Sequence, residues 1–382
     1  MKKVLIVGGG IGGLTAAIAL RQRGIEAVVY EKSPELRDVG AGISLWPNAV
    51  KALRRLGLDA GVDSISQVNG DAALRRSNGT CLSRTSEREL TRRFGGGVMV
   101  FHRRELLDLL ACCLGAEHIQ LGRACAGLAQ NEDGVTVTFA NGEAVQGDAL
   151  VGADGLHSVV RTCLGHREKP RYSGYTAWRA VVPFDTSTMV AGETWGRGRR
   201  FGMVPVQGNR VYWYATNNET QGGTDAPGGA RSRLLALFRG WHSPIEDLIR
   251  AARDSEILRN DICDRNPVAS WGTGRVTLLG DAAHPMTPNL GQGACQAIED
   301  ALELAARLAL EPAVTPALRR YESLRMARTA SIVLTSRRIG DLCQVESPIL
   351  CGLRDLAMRL TPDFVTIRSL TPVIGYEGHL VD

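Results

Sequence analysis

Gly8, Gly10 and Gly13 lie in the run Gly8-Gly9-Gly10-Ile11-Gly12-Gly13 with the spacing G-x-G-x-x-G. That spacing suits phosphate: one glycine for a tight turn, one for close approach of the backbone to a pyrophosphate, one for close packing of helix on strand. Glu31 follows eighteen residues beyond Gly13, where an acid accepts hydrogen bonds from adenosine ribose hydroxyls. The chemistry is the holding of a dinucleotide, and an acid at this point favours FAD or NAD over NADP. Two more acids stand at the ends of apolar runs. Asp154 lies in Asp148-Ala-Leu-Val-Gly-Ala-Asp154-Gly155-Leu-His-Ser158-Val-Val-Arg161, and Asp281 in Arg275-Val-Thr-Leu-Leu-Gly280-Asp281-Ala-Ala-His284-Pro285. The second run continues through Pro288, Gly291 and Gly293 into a long helical pattern ending past Asp300.

These residues need a strand, a turn and a helix to position them, and their flanks supply all three. Val4 to Val7 is a short apolar β-branched run, Leu14 to Arg23 has apolar residues at helical spacing, and Gly24 stops it. A second strand, Ala27 to Tyr30, delivers Glu31. In the other two segments a strand likewise delivers an acid and passes into a helix, a Pro/Gly loop intervening in the last. Asp154 could orient a ribityl chain or a bound nicotinamide, or simply mark a strand-to-helix turn. No second strand, G-x-G-x-x-G and helix follows, so if the one dinucleotide fold holds FAD there is no separate nicotinamide domain.

Length and composition limit the alternatives. The 382 residues suffice for two or three structural units. With 44% hydrophobic and 22% charged residues, wholesale disorder, collagen and coiled coil are excluded. A net charge of +5 suits anionic small molecules as well as nucleic acid. The nine cysteines form no C-x-x-C pair and show no zinc spacing, so they read as reduced thiols in a cytosolic protein. The uncharged run from Val4 to Leu20 imitates a signal peptide but is glycine-rich, lacks an A-x-A-like site and is short for a membrane span. The expectation is a cytoplasmic protein with no secretory signal and no transmembrane helix.

The three glycine- and acid-bearing segments together closely resemble the single-component, FAD-dependent aromatic hydroxylases, the group of p-hydroxybenzoate, salicylate and urate hydroxylases. The resemblance spans residues 1 to about 335, with the Gly280-Asp281 segment its most specific part. It implies that the glycine loop and Glu31 hold the ADP half of FAD and that Asp281 reaches the ribityl and pyrophosphate. It also implies that the loop from Pro288 to Gly293 lies beside the isoalloxazine. Arg103, in Phe-His-Arg103-Arg-Glu-Leu, matches an arginine that contacts the cofactor. Gly40-Ala41-Gly42-Ile43 matches a stretch near the flavin ring, and Arg37 is a looser match. NADH or NADPH is implied as a transient co-substrate bound across the Asp154-Gly155 region.

Nine of the twenty aromatic residues fall between 172 and 214. Tyr175 to Val182, Arg200 to Val206 and Arg210 to Thr216 read as strands, the last two joined at Gln207-Gly208-Asn209. Alternation puts Tyr212 and Tyr214 on one face and Val211 and Trp213 on the other. Either the aromatics fill the sheet's own core, or the sheet roofs the flavin and presents Arg200 and Tyr212 to a substrate. The spacing from Arg200 through Met203-Val204-Pro205-Val206 to Tyr212, and the segment Leu45-Trp46-Pro47-Asn48-Ala49-Val50-Lys51, resemble the urate-hydroxylase branch. There an arginine and a tyrosine sit at the substrate.

Elsewhere the residues read as structural. The seven histidines show no metal spacing, and His284 reads as a packing or loop residue. Arg319, Arg320, Arg325, Arg328, Arg337 and Arg338 read as the solvated face of a helix. Gly222 to Gly229 reads as a mobile loop. Pro348 to Leu360 is amphipathic and could close the pocket, pair subunits or touch a membrane surface, docking on its own domain being the default.

The resulting expectation is an α/β fold. Residues 1–70, 98–170 and 271–335 build a Rossmann-like FAD-binding domain, 71–97 and 171–270 an inserted, mostly antiparallel substrate-binding sheet, and 336–382 a helical C-terminal segment. The resemblance implies NAD(P)H- and O2-dependent hydroxylation of an electron-rich aromatic or heteroaromatic ring through a flavin C4a-hydroperoxide, with urate- and salicylate-like compounds among the candidates. Partners would be that substrate, O2 and NAD(P)H, with no nucleic acid, no metal and no stable membrane insertion, as a monomer or homodimer. Rival readings are an epoxidase or reductase of the same fold acting on an alkene or prenyl chain, a NAD-dependent dehydrogenase, and a non-catalytic FAD-binding sensor.

Overall fold

The computed structural model describes residues 2–36, 42–68, 70–225 and 228–376. Arg37, Gly40 and Ala41, together with residues 226 and 227 of the glycine-rich stretch 222–229, lie outside the described residues.

Val4, Leu5, Ile6 and Val7 are buried on both faces, as apolar β-branched runs in a parallel sheet must be. Their strand, Lys3–Val7, is central in a five-stranded parallel sheet. The order is Val276–Leu278, Ala149–Gly152, Lys3–Val7, Glu26–Tyr30 and Ile119–Gln120. The helix Ile11–Gln22 buries residues almost all round, because the helices Gly293–Leu310 and Arg103–Leu114 also pack on it. The opposite face of the sheet meets a three-stranded antiparallel sheet, Cys125–Gln130, Val135–Phe139 and Ala144–Gly147. There the Phe139 ring lies 5.0 Å from that of Tyr30.

A second, seven-stranded sheet takes strands from two separated stretches of sequence. Its order is Leu258–Asp264, Arg171–Pro183, Arg210–Asn218, Arg199–Val206, Gly192–Trp195, Ala72–Arg76 and Cys81–Thr85. All pairings are antiparallel except Gly192–Trp195 with Ala72–Arg76. The turn at Gln207-Gly208-Asn209 has positive φ at both Gly208 (82°) and Asn209 (54°), as a tight right-twisting hairpin requires. Alternation sorts the aromatics onto two faces. Trp178, Phe201 and Trp213 pack under the helices Gly229–Leu237 and Ile245–Ala251, while Tyr212 and Tyr214 join Val100 and Val206 on the other face.

A small sheet of Gly42–Leu45, Met99–His102 and Ser66–Val68 lies at the join. The long helix Val314–Cys343 runs unbroken through residue 335, so the boundary read there from sequence falls inside a helix. Among the described residues no helix is long and apolar enough to cross a membrane.

Candidate active site

The residues singled out by their spacing collect at the carboxyl ends of the parallel strands, where open α/β sheets bind their ligands. Gly8 follows Val7, Glu31 follows Tyr30, Asp154 lies just past Gly152, and Gly280-Asp281 lie just past Leu278. Gly8, Gly10 and Gly13 serve the loop in different ways. Gly8 has φ 114°, and a Cβ there would sit 2.3 Å from the Ala153 carbonyl oxygen. A Cβ on Gly13 would lie 2.0 Å from the Gly8 carbonyl oxygen, so helix and strand could not close. At Gly10 a Cβ would meet nothing within 4 Å. That open space lies at the start of the helix Ile11–Gln22, whose N-terminus has no side-chain cap and no acid in its first turn. Unsatisfied N–H groups beside open space are suited to a pyrophosphate. The helix Gly293–Leu310, next to the first, also begins without a side-chain cap or an acid.

The acids differ in what they already hold. Glu31 accepts from the Gly9 N–H (2.7 Å) and the Ser33 N–H (3.0 Å), which fixes its carboxylate at the rim of the loop. Asp154 accepts from the Ser158 hydroxyl (2.5 Å) and the Val159 N–H (2.7 Å), so both its oxygens serve the strand-to-helix turn. Burial pushes its pKa up, and these hydrogen bonds oppose the rise. Asp281 is solvent-accessible yet hemmed in by protein. Desolvation raises its pKa, while His284 and Arg103 pull it back. An exposed carboxylate at the carboxyl end of a strand, close to the uncapped start of Gly293–Leu310, fits a polar cofactor chain. Arg161, at the end of the second constellation, donates to the Ala282 and Ala283 carbonyls (3.0 and 3.1 Å) and so clamps the Asp281 turn.

Arg103 begins the helix Arg103–Leu114 and acts electrostatically on both Asp281 and Tyr212. It therefore joins the cleft to the seven-stranded sheet. The Tyr212 ring lies against Gly42, where a Cβ would come within 2.3 Å of it. Burial raises the pKa of the Tyr212 phenol, with Arg179 and Arg103 opposing, and raises that of Tyr214 much further, with Glu193 adding to the rise. Both phenols remain neutral hydrogen-bond donors.

Arg200 is 3% exposed and fully engaged in a fork. It donates from Nε to Gln344 Oε1 (3.0 Å), from Nη1 to Glu193 Oε1 (3.1 Å) and from Nη2 to Asn289 Oδ1 (2.8 Å). Burial disfavours its charge, but Glu193 together with Cys343, Tyr175 and Tyr214 more than offsets this, so its pKa is raised. Asn289 belongs to the short turn Pro288–Leu290 and also accepts from the Tyr175 hydroxyl at 3.2 Å. The arginine thus ties the sheet to the loop that carries Pro288, Gly291 and Gly293. Sequence spacing offered no signal for Glu193, on the strand that pairs with that of Arg200, or for Asn289 and Gln344, which come from distant segments.

Behind the cleft lies a buried ionic cluster that overturns the reading of the helix arginines as a solvated face. Arg325 is fully buried and pairs with Asp300 (2.7 Å) and Glu299 (2.6 Å). Arg328 pairs with Glu299 at 2.9 Å, and Arg337 with Asp264 at 2.9 Å. Only Arg320 and Arg338 of the six are exposed. Asp300 also accepts from the Gly280 N–H (3.1 Å) and contacts His284 Nε2 (2.6 Å), which makes His284 a structural residue under the Asp281 turn. Burial alone would raise the pKa of Asp300, but His284 and Arg325 hold it down to about 2. The buried thiols of Cys295 and Cys343 are pushed up to about 12, chiefly by burial, and are inert at neutral pH.

The cradle and the donor set fit FAD, and comparison with known proteins agrees. The FAD binding domain family matches residues 1–336. The chain belongs to that family. This FAD-binding-domain protein is 45% identical over 361 residues to an aurachin C monooxygenase/isomerase of Stigmatella aurantiaca, with 94% of each chain covered. It is 37% identical to a 3-amino-4-hydroxybenzoate 2-monooxygenase of Streptomyces cremeus, covering 94% of this chain and 92% of the other. Its fold matches that of HpxO of Klebsiella pneumoniae, solved with FAD and uric acid, at a TM-score of 0.93 and 32% identity over 98% and 96% of the two chains. It is an FAD-dependent monooxygenase, with the α/β architecture and the inserted sheet expected of the aromatic hydroxylase group.

Proposed function

We propose that the protein uses NAD(P)H and O2 to hydroxylate an electron-rich aromatic or heteroaromatic ring that carries N–H or O–H donors and no carboxylate. The observation behind the substrate class is the pairing of Arg200 with Glu193 at 3.1 Å on the sheet face that covers the cleft. A ring carboxylate would need an arginine with a free fork, because bidentate donation is what makes such recognition strong. Here the fork is spent on Gln344, Glu193 and Asn289 and its charge is matched by Glu193. Breaking that pair to admit another anion would leave Glu193 beside it, at a cost typical of like charges in a desolvated site. A donor-bearing heterocycle meets no such penalty.

FAD, once bound, supplies the redox chemistry of hydride acceptance and oxygen activation. The protein's own work is positional. Gly10 and the start of Ile11–Gln22 receive the pyrophosphate, Glu31 the ribose, and Asp281 the polar chain leading to the ring system. Arg103 sets a positive charge between that chain and the substrate side. Arg200 holds Asn289, and with it the loop beside the flavin, against the sheet, so it is a positioning residue. Val100, Val181, Val204 and Val206, packed with Tyr212 and Tyr214, keep the space apolar and dry, which favours oxygen transfer over loss as H2O2. Tyr212 orients the ring through its neutral phenol.

The test is NADH and NADPH oxidation by the purified yellow protein, with product and H2O2 quantified. Urate and hydroxylated nitrogen heterocycles should accelerate oxidation at least tenfold more than salicylate or hydroxybenzoates. Equal or better coupling with the carboxylates would overturn the substrate class, and oxygen placed on a side-chain alkene would favour the epoxidase reading.

A further inference from the structure

The helix Pro348–Leu360 is inside out. Its buried side carries Cys351, Arg354 and Asp355. Arg354 pairs with Asp355 at 2.9 Å and lies 5.1 Å from the centre of the Trp195 ring, and Asp355 accepts from Arg76 Nε at 2.7 Å. These contacts fasten the helix to the seven-stranded sheet by its polar side. The apolar side faces outward: Ile349 is 75% exposed, Leu353 58%, Leu356 51% and Leu360 72%. Leu350, and Phe364 and Val365 on the next helix, Asp363–Ser369, are also exposed, and both helices pack on the strand Cys81–Thr85.

The four outward residues are spaced four, three and four apart, the repeat of a helix-packing seam. Seven large apolar side chains exposed to this degree present roughly 800 Å², above the ~300–600 Å² largest patch of an ordinary monomer and equal to the ~800 Å² that each partner contributes to a standard interface. A membrane-surface helix of this kind would show a Lys/Arg-rich polar face at the interface. Here the polar side is turned into the protein, the exposed charges on these two helices are only Arg359, Asp363 and Arg368, and the sequence has no lysine after Lys169. We infer that the occupant is a second copy of the chain, two Ile349–Leu353–Leu356–Leu360 seams packing on one another across a two-fold axis. An isologous contact suits this, since one self-complementary stripe serves both subunits.

The test is light scattering on the FAD-loaded full chain at micromolar concentration. The expected mass is about 82 kDa, twice the 41.1 kDa of one chain. A variant with both Leu353→Glu and Leu356→Glu should be monomeric with FAD absorbance retained, whereas Leu310→Glu, at an exposed leucine on another helix, should remain dimeric. If the glutamates disturb folding, the milder pair Ile349→Gln with Leu360→Gln should still shift the mass towards the monomer. A monomeric wild type overturns the inference, as does a dimer that survives both double variants. Flotation of a monomeric wild type with phosphatidylcholine–phosphatidylglycerol vesicles would overturn it in favour of a lipid surface.

Discussion

The cofactor cleft and the sheet face opposite it are built on opposite plans. At the cleft the work falls to backbone: the turn at Gly8, the open space at Gly10 and the uncapped start of Ile11–Gln22. Across from it, side chains from two adjacent strands and two distant segments converge, with Arg200 reaching Glu193, Asn289 and Gln344. Beneath the Asp281 turn the same plan recurs in the Arg325, Asp300 and Glu299 cluster. A backbone site tolerates almost any neighbouring side chain but no Cβ at its glycines. A convergent site tolerates backbone variation but depends on every partner being present, since an orphaned buried charge is costly.

The sharpest way to separate the two plans is to orphan the cluster. Arg325→Met leaves two buried carboxylates without their main cation and should cost about 3–5 kcal/mol of stability, read by chemical denaturation. The cluster also sets an acid limit. Asp300 is held down at about 2, so its stabilising contribution is complete above its unfolded value and fades as pH falls towards 2, and unfolding below pH 4 should ease.

At the cleft, Gly13→Ala and Gly10→Ala should part company. The first drives a Cβ to 2.0 Å from the Gly8 oxygen and should destabilise the fold and abolish FAD retention. Gly10 has φ −76° and open space before it, so Ala should fold normally yet weaken FAD by roughly tenfold, about 1.4 kcal/mol, as seen in flavin titration of the apoprotein. Equal losses of stability in the two variants would contradict the division of labour between these glycines.

The smallest expected effect on binding is at the opposing face. Arg200→Lys keeps a charge but cannot fork to three partners. FAD affinity should stay within about twofold while the share of NAD(P)H lost to H2O2 rises several-fold. A fall in FAD affinity as large as that of Gly10→Ala would mean the two regions are one unit.

These plans also explain what could be read from sequence. The glycine loop, Glu31 and the Gly280-Asp281 segment are local, each a strand, a turn and a helix within about thirty residues, so spacing alone exposes them. The hairpin at Gly208-Asn209 and the two faces of the aromatic strand are legible for the same reason. Arg325 and Arg328 are not. On a helix an arginine reads as solvated unless its carboxylate partners are known, and Glu299 and Asp300 lie on a different helix. Asp154 stands between the two cases. Its spacing reads either as a cofactor contact or as a strand-to-helix turn, and its hydrogen bonds to Ser158 and Val159 serve that turn.

The most direct measurement is turnover of the FAD-loaded protein under isotopically labelled O2, with a donor-bearing heterocycle that accelerates NAD(P)H oxidation. One labelled oxygen atom on the ring of the product is expected. An oxidised product without label, or NAD(P)H consumption that returns only H2O2 with every ring compound, would contradict ring monooxygenation.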